Sequence, residues 1–209
     1  MSDSKGTSKK ILLSVAALGV TASIAGLGTF ATFTSSTSAS QNVSSGTVSI
    51  ALGSAGTADN RLTIGASGLV PGDSLQRRVK LSNAAGNEAL SSITLSTVDT
   101  TAVDTVLTTN ATNGLQMRIQ KCAVGWVESV TTPYSYTCAD IGGATTVLAQ
   151  QAIIGSNLAL SSLSALTAGN TDDLVVTVSL PTTADNTFQD KSATIDYTFT
   201  GTQRAGASK

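Results

Sequence analysis

Cys122 and Cys138 are the side chains of this sequence best suited to covalent chemistry, and fifteen residues lie between them. A cysteine nucleophile needs a neighbouring base, usually histidine, and the chain contains no histidine. In an exported protein an even pair reads as a disulfide, and closing a loop of this size stabilises by about 3 kcal/mol in the chain-entropy model. Without histidine, neither the H-E-x-x-H helix nor the usual ligand sets of catalytic zinc can be assembled. The remaining candidates are carboxylates. Asp172, Asp173, Asp185, Asp190 and Asp196 offer at best oxygen ligands for a hard cation such as calcium. Adjacent aspartates at a strand start are more ordinarily a solvated edge. No glycine-rich phosphate loop and no Ser/His/Asp set is present. The expectation is therefore no enzyme, with no catalytic residue, no cofactor and no metal site.

Trp126 lies inside the cysteine loop, with Tyr134 and Tyr136 nearby. The cluster could form an aromatic tip for a partner or glycan. The plainer expectation packs Trp126 over the disulfide as a satellite core. Arg77 and Arg78 are consecutive, so one of them faces inward or lies near an edge, where an inward charge blocks uncontrolled strand pairing.

Strands must position these groups. Val48, Ile50 and Leu52 alternate with polar residues, as do Val79 and Leu81, Ile93 and Leu95, and Leu115, Met117 and Ile119. The same period-two pattern returns at Leu174, Val176, Val178 and Leu180, then at Ile195, Tyr197 and Phe199. Turn residues separate the runs at Pro71-Gly72-Asp73, Ala85-Gly86-Asn87, Asn113-Gly114, Gly142-Gly143 and Gly169-Asn170. Residues 98–110 and 184–190 alternate poorly and allow short helical turns. About nine short strands without a βαβ rhythm predict an all-β fold: a jelly-roll-like antiparallel β-sandwich with long loops, preceded by a signal-peptide helix.

The first 50 residues place the domain outside the cell. Lys5, Lys9 and Lys10 precede an uncharged, largely apolar stretch from Ile11 to Phe33, and the next charge is Asp59. This is a secretory leader, with small residues at Thr29 and Ala31 that put the cut between Ala31 and Thr32. A membrane anchor is the alternative, weakened by the many small residues. Cleavage leaves 178 of 209 residues and, by removing Asp3 and three lysines, moves the formal charge from −1 to −3. That balance, with no cationic stripe, excludes nucleic acid as a partner. The domain plan is 1–31 signal peptide, 32–46 extended segment, 47–203 sandwich and 204–209 tail.

Four blocks taken in order carry a resemblance: GTFATFTSS with SGTVSI, LVPGDSLQRRVKLSNAAGNEALSSITL, TDDLVVTVSLP and DNTFQDKSATIDYTFTGTQ. Together they resemble the TasA/camelysin family of exported fibre proteins, whose leader is processed by a SipW-type signal peptidase. The resemblance implies a secreted subunit of biofilm-matrix or cell-surface fibres of a Gram-positive-type bacterium. Its partners would be itself in a head-to-tail polymer, the signal peptidase and a fibre-initiating accessory protein, with membrane contact only before cleavage. It also implies that the freed N-terminal segment adds as a strand to the next subunit, with Thr32, Phe33, Thr34 and Val43 in that donor strand. Thr32 to Ser45 extends to about 45 Å, contains no charge or proline, and has Phe33 and Val43 as apolar anchors. The same tract also reads as a plain Ser/Thr linker, which would make the protein a monomeric or membrane-retained adhesin. A metallopeptidase label attached to camelysins finds no ligand set in these residues.

Overall fold

The computed structural model describes residues 49–62, 69–131 and 133–206. All lie in the second of the two compact units of the chain, Ser45–Lys209. The leader helix, the Ala31–Thr32 cleavage site and the donor-strand residues Thr32, Phe33, Thr34 and Val43 fall outside the described residues.

Ten strands follow in order: β1 (Ala51–Leu52), β2 (Ser74–Ser82), β3 (Leu90–Asp99), β4 (Gln116–Lys121), β5 (Trp126–Glu128), β6 (Tyr136–Cys138), β7 (Thr145–Ala152), β8 (Gly155–Ala159), β9 (Thr171–Ser179) and β10 (Ile195–Gln203). A helical turn, α1 (Val106–Thr109), and a 3₁₀ turn at Asn186–Phe188 interrupt them. One sheet has the order β1-β2-β9-β4-β7 and the other β10-β3-β8, while β5 and β6 form a separate hairpin. Every ladder is antiparallel. The protein is thus an all-β sandwich.

Alternation explains why these segments are strands. In β2 Arg77, Val79 and Leu81 are buried between half-exposed neighbours, and in β3 Ile93, Leu95 and Thr97 repeat the pattern. The inner faces of both sheets merge in one core containing Val79, Leu81, Ile93, Leu95, Met117, Ile119, Leu174, Val176 and Val178. Each such side chain contributes roughly 1.5–3 kcal/mol by leaving water. β2 and β9 pair without a break from Ser74↔Ser179 to Ser82↔Thr171. A one-residue slip would turn every one of these apolar groups outward.

Local chemistry sets the ends. At the Pro71-Gly72-Asp73 turn Gly72 adopts φ +98°, a left-handed conformation that glycine takes at no steric cost. Thr105 caps α1 by accepting from Leu107 N, and Asp185 caps the 3₁₀ turn by accepting from Thr187 N. Leu107 and Phe188 from these turns both enter the core.

The short helical turn allowed within 98–110 is present as α1, after β3 has taken up Val98 and Asp99. Two expectations need adjusting. Of the run Val48, Ile50, Leu52, Val48 lies outside the described residues; among the described residues the run yields the two-residue β1, and Leu52 is exposed. Asp172 and Asp173 are not a solvated edge. β9 is the central strand of its sheet, and Asp172 is 3% exposed. Its carboxylate accepts from Ser164 N and Ala165 N at 3.0 and 2.8 Å and pairs with Lys121. These bonds compensate a charge that burial alone would penalise.

Candidate functional site

The two flanks of the sandwich are built differently. On one flank β7 runs into β8 through the buried Ile153, and Ser161 N donates to Val147 O at 3.0 Å. On the other, β10 ends its sheet, and β1 pairs with only Ser82 and Leu81 of β2. A cavity of about 320 Å³ lies on this flank, lined by Leu75 and Arg77 of β2, Val176 and Val178 of β9, and Ile195 and Tyr197 of β10. A second depression follows β10 past Leu52, Asn60 and Leu62.

The ladder phase shows what the β10 edge presents. Thr100 N donates to Thr194 O, and Ile195 pairs with Asp99 as the next position. Hydrogen-bonded pairs alternate along an antiparallel ladder. Ile195, Tyr197, Phe199 and Gly201 therefore direct their N–H and C=O groups away from β3, and no partner strand meets them among the described residues. Their side chains are half-buried and alternate with exposed Asp196, Thr198 and Thr200. This is an unpaired edge above an apolar trough.

Arg77 is a buried charge of the trough, whose lining also includes Asp190 and Lys191. It is 8% exposed, and its Nη1 donates to Gln76 O at 2.8 Å. Burial lowers its pKa, opposed by the nearby tyrosines. Burial likewise pushes Tyr197 up to about 12. Arg78 takes the opposite face and binds Asp173. The consecutive arginines are thus divided between the trough and the outer surface of the sheet. β2 has β1 on one side and β9 on the other, so Arg77 is one strand in from the edge.

Cys122 and Cys138 are bonded to each other and tie the end of β4 to β6. Trp126 stands opposite Cys138 in the hairpin ladder. It is half-buried, and its indole Nε1 donates to Asp173 O at 2.9 Å. The hairpin lies on the outer face of β2 and β9, where Tyr136 N donates to Gln76 Oε1 and Val175 is 1% exposed although it points outward. Tyr136 OH donates to Glu128 Oε2 at 2.9 Å, and burial raises that phenol to about 12.

The aspartates do not converge. Asp185 caps a turn and is held below the usual carboxylate range by Thr187. Asp190 lines the cavity mouth, while Asp196 is on the exposed face of β10. Among the described residues no group of three or more His, Cys, Asp or Glu could hold a metal ion. No helix among them is long and apolar enough to cross a membrane.

The model of the camelysin metallo-endopeptidase family matches residues 6–208, nearly the whole chain. The chain belongs to that family, the TasA/camelysin family. No curated protein matches it. Membership makes this a secreted or cell-surface protein. The family name implies a catalytic metal, but the donor set of this camelysin-family chain does not fit one: it has no histidine, and among the described residues its carboxylates are dispersed. Sequence reasoning read β10 as a strand and missed it as a site. Its three large inward groups in TIDYTFTGT were visible, but which neighbour was absent was not.

Proposed function

We propose that this protein is a non-enzymatic structural subunit of extracellular fibres, in the biofilm matrix or on the cell surface. A SipW-type signal peptidase cuts between Ala31 and Thr32, and the freed segment of one subunit adds along β10 of the next. The observation that supports this reading is the β10 edge, which no strand among the described residues pairs, beside an apolar trough. Nine residues of β10 span about 30 Å, and the 32–45 segment reaches about 45 Å, enough to cover that edge and still span to its own domain. Main-chain hydrogen bonds supply the affinity of such an addition, and alternate side chains in the trough supply its register. Phe33 and Val43 are the apolar anchors. The contact is head-to-tail and does not close, so it propagates as a filament. Before cleavage the start of the segment is held at the membrane, which makes processing the assembly switch. A fibre-initiating accessory protein would supply the first strand.

The deciding experiment compares a chain starting at Thr32 with one starting at Thr47 by size-exclusion chromatography and electron microscopy. Filaments from the longer chain alone support strand addition. Identical monomers from both overturn it in favour of an adhesin on a Ser/Thr stalk. The family name favours a second reading, metal-dependent proteolysis. Casein digestion abolished by a chelator would establish that activity.

A further inference from the structure

We infer that Arg61 and Glu128 are positioning residues for the trough. The disulfide-closed hairpin is a strap that grips Arg61 from outside and thereby keeps Leu62 turned inward as a wall. This inference rests on the strand-acceptor reading of the trough.

Residues 59–61 run along the outer edge of β2. Lys80 N donates to Asp59 O and Arg61 N to Arg78 O, each at 2.8 Å, and Asn60 bridges Val79. In extended chain successive side chains alternate in direction. Asn60 and Leu62 accordingly line the depression beside β10, while Arg61 between them points to the opposite face. There its guanidinium meets the hairpin. Nη2 donates to Glu128 Oε1 at 2.7 Å, Nε donates to Oε2 at 3.2 Å, and the group lies 4.4 Å over the Tyr134 ring. Nη1 donates to Gly56 O at 2.9 Å, tying in the preceding loop as well. A bidentate pair fixes orientation as well as distance.

The hairpin end of this contact is itself anchored. Glu128 is oriented by Tyr136 OH, Trp126 is bound to Asp173 O, and Cys138 is bonded to Cys122. On the wall side, Leu62 N donates within its own turn, to Asn60 Oδ1. Leu62 and Tyr197 both line the cavity and the depression. A strand entering beside β10 must pass between these two residues. The outside grip on Arg61 therefore sets the width of the entrance, and the cysteine loop acts on assembly without touching the incoming strand.

The test uses the chain from Thr32, with filament growth followed by light scattering and the critical concentration measured well below each variant's melting temperature. Glu128→Gln, Arg61→Gln and Cys122→Ser/Cys138→Ser should each raise the critical concentration about fivefold, the effect of one well-formed ion pair. Arg61→Lys should lie closer to wild type, and the charge swap Arg61→Glu/Glu128→Arg should restore growth lost in either single reversal. Wild-type filaments with unchanged growth in all three loss variants would overturn the inference alone. Failure of the wild-type chain to assemble would overturn the acceptor reading and this inference together. Lost growth without rescue by the swap would assign the effect to general destabilisation and overturn the positioning role.

Discussion

The guanidinium of Arg78 grips the carboxylate of Asp173 through two hydrogen bonds, of 2.7 and 2.5 Å, between the adjacent strands β2 and β9. The hydrogen bonds that Arg78 donates to Asp173, together with that carboxylate's charge, raise the pKa of Arg78 against the opposing effect of burial. Both side chains are largely shielded, at 14% and 12% exposure. Asp173→Asn leaves the largely shielded guanidinium without its paired carboxylate, and should cost about 2 kcal/mol. A domain of this size should then melt roughly 5 °C lower. Asp59→Asn makes the contrast. It breaks the Lys80–Asp59 pair, whose partners are 38% and 46% exposed, and should cost no more than about 0.5 kcal/mol. Equal losses in thermal unfolding would refute this ranking by burial.

The bond between Cys122 and Cys138 closes a loop that carries the whole hairpin. Cys122→Ser/Cys138→Ser should destabilise the domain by about 3 kcal/mol through loop-closure entropy in the unfolded chain. Guanidinium titrations of both forms measure this. A change under about 1 kcal/mol would mean that the loop is already restricted when the protein is unfolded.

Glu128 gives stability an acid limb. The hydrogen bond from Arg61 holds its carboxyl below the ordinary value, against burial and with help from Tyr136 OH. The folded pKa is depressed, so the contribution is present above the unfolded value near 4.3 and is lost as pH falls through the lower folded value. Urea midpoints from pH 7 down to 3 should therefore fall less steeply for Glu128→Gln than for wild type. Parallel curves would remove Glu128 from the acid response.

Tyr197 acts in the opposite direction. Burial raises its folded pKa to about 12, with Arg77 opposing. Against an unfolded value near 10, its contribution is complete below pH 10 and is lost as pH rises toward 12. Tyr197→Phe should flatten the alkaline limb of stability and delete one late step from the ultraviolet titration of the phenols. A phenol at position 197 that ionises near pH 10 would show that the trough is open to water there.

Much of the sandwich was legible because its central strands obey one period. Val79 and Leu81, or Leu174, Val176 and Val178, could be assigned to a buried face from spacing alone. β7 was not, because register shifts near Ile119 place Val147 and Leu148, consecutive residues, both in the interior. The acidic pair at Asp172 and Asp173 was misread since burial depends on strand order, which no local pattern reports. Asp172 is satisfied by amides of residues 164 and 165, and Arg78 is 95 positions from its partner Asp173. The trough has the same origin. Among the described residues no strand pairs with the outer edge of β10, and which edge stays open depends on strand order, which no local pattern marks.

The donor reading carries a parity condition. Phe33 and Val43 are ten positions apart, so in an extended strand both project to one face. Ile195, Tyr197 and Phe199 share one half-buried face of β10 with the same period, and the first two line the trough. Deleting Ser38 alone would place the two anchors on opposite faces, while deleting Ser38 and Ala39 would restore them to one face in a shorter strand. Misplacing one anchor forfeits roughly 1.5–3 kcal/mol of apolar burial, so the single deletion should raise the critical concentration for filaments at least tenfold. The double deletion should assemble far better than the single one, although it removes more of the chain. A steady decline from none to one to two deleted residues would mean that length alone matters, as expected for a linker, and would end the case for strand addition.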